Sequence, residues 1–312
     1  MSASHRSTVS LSDADIRGRL TPAQTIAVVR EAVVGAHRGT FTAPPRVFEG
    51  DPGFGPVQSV GATSAWYGYV SSDSGSPSTS DSVVVLHDRE SGEVRGMAVG
   101  SELARLCEAA VLGLAAELLA APDAAVLAVI GDGRSVTDAI RAVAAVRPLD
   151  QVRISASLPG RTDNADLDAD LGPDDAHLAA SFAVPITRAS SVAEAVAGAS
   201  IVVLLRGTAE GLDPALLSRG CTVLVVGDPA RSGEDFPADL VASVEVLVTD
   251  SPAQLAAYDG PRAPTAVLDS VVSLGSIADG TPARRRPTDR VGFLSVGLPA
   301  AEILLLDRLI SS

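Results

Sequence analysis

From Ala124 onward the sequence alternates short, unbroken apolar runs with helix signals, and this alternation constrains the fold more than any other feature. The apolar runs are AAVLAVIG from Ala124, VRISASL from Val152, VPIT from Val184, SIVVLL from Ser200, CTVLVVG from Cys221 and VEVLVTD from Val244. Between them lie GDGRSVTDAIRAVAAV, a helix near 173–182, a capping box at Ser191-Val192-Ala193-Glu194, a short helix opened by Asp213-Pro214 and closed by Gly220, and a helix begun by Ser251-Pro252. A strand that is apolar throughout is buried on both faces, which parallel sheets covered by helices achieve. The pattern predicts an α/β, doubly wound parallel sheet of the Rossmann-like, dinucleotide-binding type.

The first third of the chain reads differently. Its 312 residues allow about two domains. Thr21-Pro22-Ala23-Gln24 is a capping box with Pro at the first helical position, and Ile26, Val29, Ala32 and Val33 recur at helical spacing, predicting a helix over 22–38. Residues 40–80, rich in Gly, Ser and Pro with Trp66, Tyr67 and Tyr69 close together, read as strands and loops. SVVVLH from Ser82, the turn Asp88 to Gly92 and the run Glu93 to Val99 predict a β-hairpin, from which a long helix, Glu102 to Ala121, departs. This part is expected to form an α+β domain.

Composition removes several chemistries. All 24 basic residues are Arg, and there is no lysine. A Schiff-base amine, a P-loop and a kinase phosphate-anchoring Lys are therefore excluded. The 38 acidic residues give a net charge of −14, the wrong sign for a nucleic-acid partner. The four histidines, His5, His37, His87 and His177, lack metal-ligand spacing, and no G-x-S-x-G elbow occurs. Two cysteines, Cys107 and Cys221, indicate no disulfide framework, so a cytoplasmic location is expected. The most apolar stretch, Ala109 to Ile130, is broken by Glu117, Pro122 and Asp123, too soon for a bilayer span, so no membrane partner is expected.

One turn carries recognisable chemistry: Gly131-Asp132-Gly133-Arg134-Ser135-Val136, between a buried strand and a helix. The first glycine permits the tight turn, the second lets backbone approach a pyrophosphate, and the helix N-terminus offers N–H groups and a positive dipole end. The third glycine of the usual pattern is Val136 here, and glycine also suits any strand–helix turn of such a sheet. An NAD site would place Asp or Glu at the end of the second strand. The strand instead ends Ser155-Ala156-Ser157-Leu158, so NADP is favoured over NAD, with Ser155, Ser157 and Arg161 facing a 2′-phosphate; Arg161 fits equally well as a solvated residue beside the acidic loop 163–175. Asp132, between the glycines, opposes any pyrophosphate, and Arg134 is the residue to offset it.

The order of these parts resembles the ornithine cyclodeaminase/mu-crystallin family over nearly the whole chain. The resemblance rests on Pro44-Pro45-Arg46 after the first helix, the Asp88 to Gly92 turn, the Ala-rich helix entering AAVLAVIG, Gly131-x-Gly133, SSVAEAVAGASIVV, the stretch from Gly220 to Val226-Gly227, and Phe293-x-Ser295-Val296-Gly297 before a last helix. It implies a homodimer whose subunit has a substrate and dimerisation domain, 1–118 with 291–312, and a dinucleotide domain, 119–290, with Ser295 among the cofactor-binding residues. It also implies a hydride moving between a nicotinamide and a C–N or C=N bond.

The resemblance implies three anchors for a substrate carboxylate. Arg46 matches the first. The second, a Lys, has no counterpart, the strand near Ser59 to Thr63 offering only small residues; the third, an Arg, falls on Cys107, followed by Glu108. The acid/base Asp falls on Pro229, with Asp228 one position away. Hydrogen bonds to charged groups contribute roughly 1.5–3 kcal/mol each, so two lost anchors remove about 3–6 kcal/mol, or two to four decades of affinity. The expectation is an NAD(P)H-dependent oxidoreductase reducing an imine, or oxidising a C–N bond, of a substrate other than ornithine. Arg46 orients that substrate, Asp228 and Glu108 are the candidates for proton transfer, and Trp66 is either a pocket wall or domain-interface core. Glu108 also reads as an acid favoured by a helix dipole, and Cys107 as a buried structural thiol rather than a nucleophile. The other reading is a catalytically degenerate, dimeric ligand-binding protein, as mu-crystallin is.

Overall fold

The computed structural model describes residues 8–40, 44–45, 54–60, 64–70, 82–131, 133–155, 182–205, 209, 212–227, 235–257, 263–283 and 286–311. The chain divides into two compact units, 1–107 with 297–312, and 108–296. The strand at 291–295 lies inside the sheet of the larger unit.

The smaller unit is built on a sheet of β1 (Val9–Ser12), β2 (Phe54–Val60), β3 (Ser64–Val70), β4 (Ser82–His87) and β5 (Val94–Gly100), in the spatial order β1-β5-β4-β3-β2. β1 runs parallel to β5, and the other pairs are antiparallel. The β4–β5 turn follows from one side chain: Asp88 Oδ1 accepts from Glu90 N at 3.0 Å and Ser91 N at 2.9 Å, while Gly92 takes the left-handed conformation (φ 72°) that closes it. Helix α1 (Asp13–Ile16) follows β1, and α2 (Pro22–His37) begins at the expected capping box, with Gln24 N donating to Thr21 Oγ1 and Thr21 N donating to Gln24 Oε1 at 2.8 Å. Leu11, Val84, Leu86 and Ala98 on one face of the sheet pack with Val28 of α2 and with Ile303, Leu306 and Leu309 of the last helix (Pro299–Ser311). The opposite face leaves Val83 and Val99, neighbours in register, exposed.

Helix α3 (Glu102–Leu119) leads into the larger unit. Its strands are β6 (Val126–Ile130), β7 (Gln151–Ser155), β8 (Ile186–Arg188), β9 (Ile201–Leu204), β10 (Thr222–Val226), β11 (Val246–Thr249), β12 (Val272–Ser273) and β13 (Val291–Ser295). They form one sheet in the order β12-β11-β13-β10-β9-β6-β7-β8, and every pairing is parallel. The doubly wound α/β expectation therefore holds. Helix α4 (Arg134–Ala144) follows β6, and the Ser191 and Ser251 helix starts open helices at Val192–Val196 and Pro252–Ala257. The Asp213-Pro214 segment is a single 3-10 turn, Pro214–Leu216, and the predicted helix at 173–182 lies almost wholly outside the described residues. β9, β10 and β13 are buried along their whole length, as their unbroken apolar sequences require. β13 passes close under Phe236: a Cβ on Gly292 would stand 2.6 Å from that ring.

Candidate functional site

The sheet of the larger unit winds in opposite directions from β6: the chain adds β7 and β8 on one side, then crosses to add β9 and β10 on the other. Ligands of open α/β sheets bind beyond the carboxyl ends of the strands at such a switch point. Here Gly131 N donates to Ser155 O of β7 at 3.1 Å, and Leu205 N, just past β9, donates to Ile130 O at 3.0 Å. The turn is thereby pressed against β9. A Cβ on Gly131 would stand 2.8 Å from both Cβ and Cδ1 of Leu205, so only glycine passes there.

Gly133 serves the opposite purpose. It is the N-cap of α4 with φ 66° and ψ −164°; among the described residues no side chain caps the helix, and a Cβ at this position would meet nothing within 4 Å. The first turn of an eleven-residue helix thus presents its N–H groups and dipole end toward open space. Arg134 and Ser135 are its first two residues, half-buried. Thr137, in the same helix, has a buried Oγ1 that finds no hydrogen-bond partner among the described residues. Val136, in place of the third glycine, is fully buried, so apolar packing seats the helix on the sheet. This cradle fits a dinucleotide pyrophosphate. Asp132 lies outside the described residues.

A second cluster occupies the same carboxyl edge three strands away, at the end of β13. Parallel strands lie about 4.8 Å apart, so the separation is roughly 14 Å. Ser295 closes β13, and its Oγ donates to Asp250 Oδ2 at 2.8 Å. Val296 N donates to Asp250 Oδ1 at 2.9 Å. Asp250 follows β11 directly and is buried. Gly227, at the end of β10, is wedged beside them: a Cβ there would stand 2.9 Å from an Asp235 carboxylate oxygen and 2.9 Å from Ser295 O. The sequence singled out Ser295 but missed Asp250 and Asp235. The available signal was position, since a carboxylate ending an apolar parallel strand falls on the ligand-binding edge.

Within the larger unit the fold therefore brings Gly131, Gly133, Arg134, Ser135 and Ser295 to one edge. Arg46, Ser157, Arg161 and Asp228 lie outside the described residues, and Trp66 is placed by backbone register alone, in β3 opposite Gln58 and Val85. Cys107 and Glu108 are half-buried in α3. Glu108 is not at the helix start. The helix begins six residues earlier, where Glu102 N donates to Asp13 Oδ1 at 2.9 Å, so Glu108 sits in the second turn, beyond the reach of the dipole stabilisation suggested for it. Arg105, in the same helix, pairs with Glu102 at 3.2 Å.

The fold is shared with known proteins. A Delta(1)-pyrroline-2-carboxylate reductase of Bacillus cereus is 25% identical over 234 residues, covering 73% of this chain and 69% of the relative. Among solved structures, Thermococcus litoralis Delta(1)-pyrroline-2-carboxylate reductase in complex with NADH and L-proline superposes with a TM-score of 0.82 at 16% identity, over 97% of each chain. An archaeal alanine dehydrogenase dimer with bound NAD gives 0.78 at 16% identity, over 97% of this chain and 95% of the other. The model of the ornithine cyclodeaminase/mu-crystallin family matches residues 6–309, and the chain belongs to that family.

Proposed function

We propose that the protein is an NAD(P)H-dependent oxidoreductase that reduces the C=N bond of a small imine carboxylate, or runs the reverse oxidation, on a substrate other than ornithine. The observation that carries this reading is the cradle at Gly131–Ser135, where one glycine admits no side chain and the next leaves a helix N-terminus open. The named relatives support the substrate class, because a reductase of a cyclic imine carboxylate and an amino-acid dehydrogenase both work on a carbon–nitrogen bond beside a carboxylate.

In this reading the N–H groups of Arg134 and Ser135 hold the pyrophosphate, the Arg134 guanidinium offsets Asp132, and Ser295 holds the nicotinamide end. The bound reduced nicotinamide supplies the hydride. Arg46 orients the substrate carboxylate, Trp66 and Cys107 line the substrate site, and Asp228 or Glu108 delivers a proton to the imine nitrogen. NADP is favoured over NAD, through Ser157 and Arg161 at the end of β7, where no carboxylate follows the strand. Residues 1–118 with 291–312 serve substrate binding and dimerisation, and 119–290 the dinucleotide. A second copy of the chain covers the open face of the smaller sheet, where Val83 and Val99 are 38% and 41% exposed and Val85 and Met97 are half-buried. Cys107 and Cys221 carry thiols rather than a disulfide, in keeping with a cytoplasmic site of action.

A second reading is favoured by one observation: the position of the arginine anchor in α3 is Cys107, and the chain has no lysine to supply the other missing anchor. A dimer that binds ligand and cofactor without turnover would need neither. The assay that separates the two follows loss of reduced-nicotinamide absorbance with NADPH and NADH against Delta(1)-pyrroline-2-carboxylate and open-chain imino acids. Turnover abolished by Asp228→Asn or Glu108→Gln supports the reductase. Cofactor binding with no turnover of any imine supports the binder.

A further inference from the structure

Asp250 is 3% exposed and uses both carboxylate oxygens on consecutive residues of the neighbouring strand end, Oδ2 on the Ser295 hydroxyl at 2.8 Å and Oδ1 on the Val296 amide at 2.9 Å. A carboxylate only accepts, and a backbone amide only donates. The single O–H of Ser295 must therefore point at Asp250. What remains on Ser295 Oγ is acceptor capacity alone, and among the described residues no donor reaches it. Ser295 is itself 6% exposed, so a ligand atom that touches it leaves water to do so. A carbonyl oxygen brought there would face lone pairs with no proton between them, which is costly in a desolvated site.

We infer that Asp250 is a positioning residue that fixes Ser295 as a hydrogen-bond acceptor, so that the β13 end selects a ligand group bearing an N–H donor. The inference rests on the dinucleotide reading above, in which that group is the carboxamide NH2 of the nicotinamide. The carboxamide then turns its NH2, not its carbonyl, toward Ser295.

The test is isothermal titration of the full-length protein with two reduced dinucleotides of the same 2′ chemistry. One carries the carboxamide, and the other is its 3-acetylpyridine analogue, which keeps the carbonyl and replaces NH2 with CH3. Wild type is expected to bind the carboxamide form on the order of tenfold more tightly. Ser295→Ala brings the ratio near one, and Ser295→Thr, which keeps the hydroxyl, preserves it. Asp250→Asn is the decisive variant. The amide oxygen still accepts from Val296 N, but its NH2 now donates to Ser295 Oγ and releases the serine proton, so the ratio falls toward one or inverts. A full ratio in Asp250→Asn, with the ratio lost in Ser295→Ala, overturns the assignment of Asp250 while leaving the cofactor reading intact. Equal affinity of wild type for the two forms overturns the inference without any variant. Failure of wild type to bind either form overturns the cofactor reading, and the inference with it.

Discussion

The two ends of the sheet's carboxyl edge are built in opposite ways. At β6 the site is made by leaving side chains out: Gly131 and Gly133 give the backbone room, and everything needed lies within five consecutive residues. At β13 the site is made by side chains held in place, and its parts, Asp250 and Ser295, are 45 positions apart. A site of the first kind is lost when something is added, and one of the second kind when something is removed.

Four substitutions would break or sharpen that contrast. The largest effect is expected from Gly131→Val, because the added side chain meets Leu205 Cβ and Cδ1 where a Cβ alone already stands at 2.8 Å. Overpacking costs about 1–3 kcal/mol of stability, and displacement of the turn should weaken dinucleotide binding by about two decades, both readable by calorimetry. Asp250→Ala should come next. It strands the Ser295 hydroxyl and the Val296 amide in a buried setting, costing about 2 kcal/mol in denaturant unfolding. Gly133→Ala should cost only about 1 kcal/mol in stability, since the strain is confined to a left-handed φ of 66° and none of the described residues crowds it, yet binding should suffer because the methyl enters the cradle. A stability loss at Gly133 larger than that at Gly131 would contradict the division of roles.

The smallest effect belongs outside the site, at the hairpin turn. The backbone N–H groups of Ser91 and Glu90, together with the Ser91 hydroxyl, hold the Asp88 carboxyl below its ordinary range. A carboxyl depressed in the folded state stabilises above its unfolded pKa of about 3.9, and the gain fades as pH falls through the lower folded value. Amide exchange at Glu90 and Ser91 should therefore quicken as pH drops below about 4, beyond the intrinsic trend, and Asp88→Ala should remove that pH dependence.

What was legible in the sequence follows the same contrast. The Gly131–Ser135 turn, the Thr21 capping box and the Asp88–Gly92 hairpin were readable because each is settled by residues within a few positions of one another. The insertion of β13 between β10 and β11 was not, since strand order depends on pairings across many tens of residues that periodicity does not encode. Asp250 escaped notice for the same reason: its meaning comes from the strand beside it. β1 is four residues at a sheet edge, with a single buried position, too short a pattern to announce itself. Glu108 is not a helix-start acid, since α3 begins six residues earlier, at Glu102.

The most direct test of the central claim is thermal unfolding of wild type and Gly131→Val with NADPH, NADH and neither. A ligand present at 100 times its dissociation constant stabilises by about 2.7 kcal/mol, a shift of a few degrees for a protein of this size. The account predicts that shift in wild type, larger with NADPH than with NADH, and its absence in Gly131→Val. An unshifted wild type at millimolar concentrations of either cofactor, or an equal shift in both proteins, would contradict it.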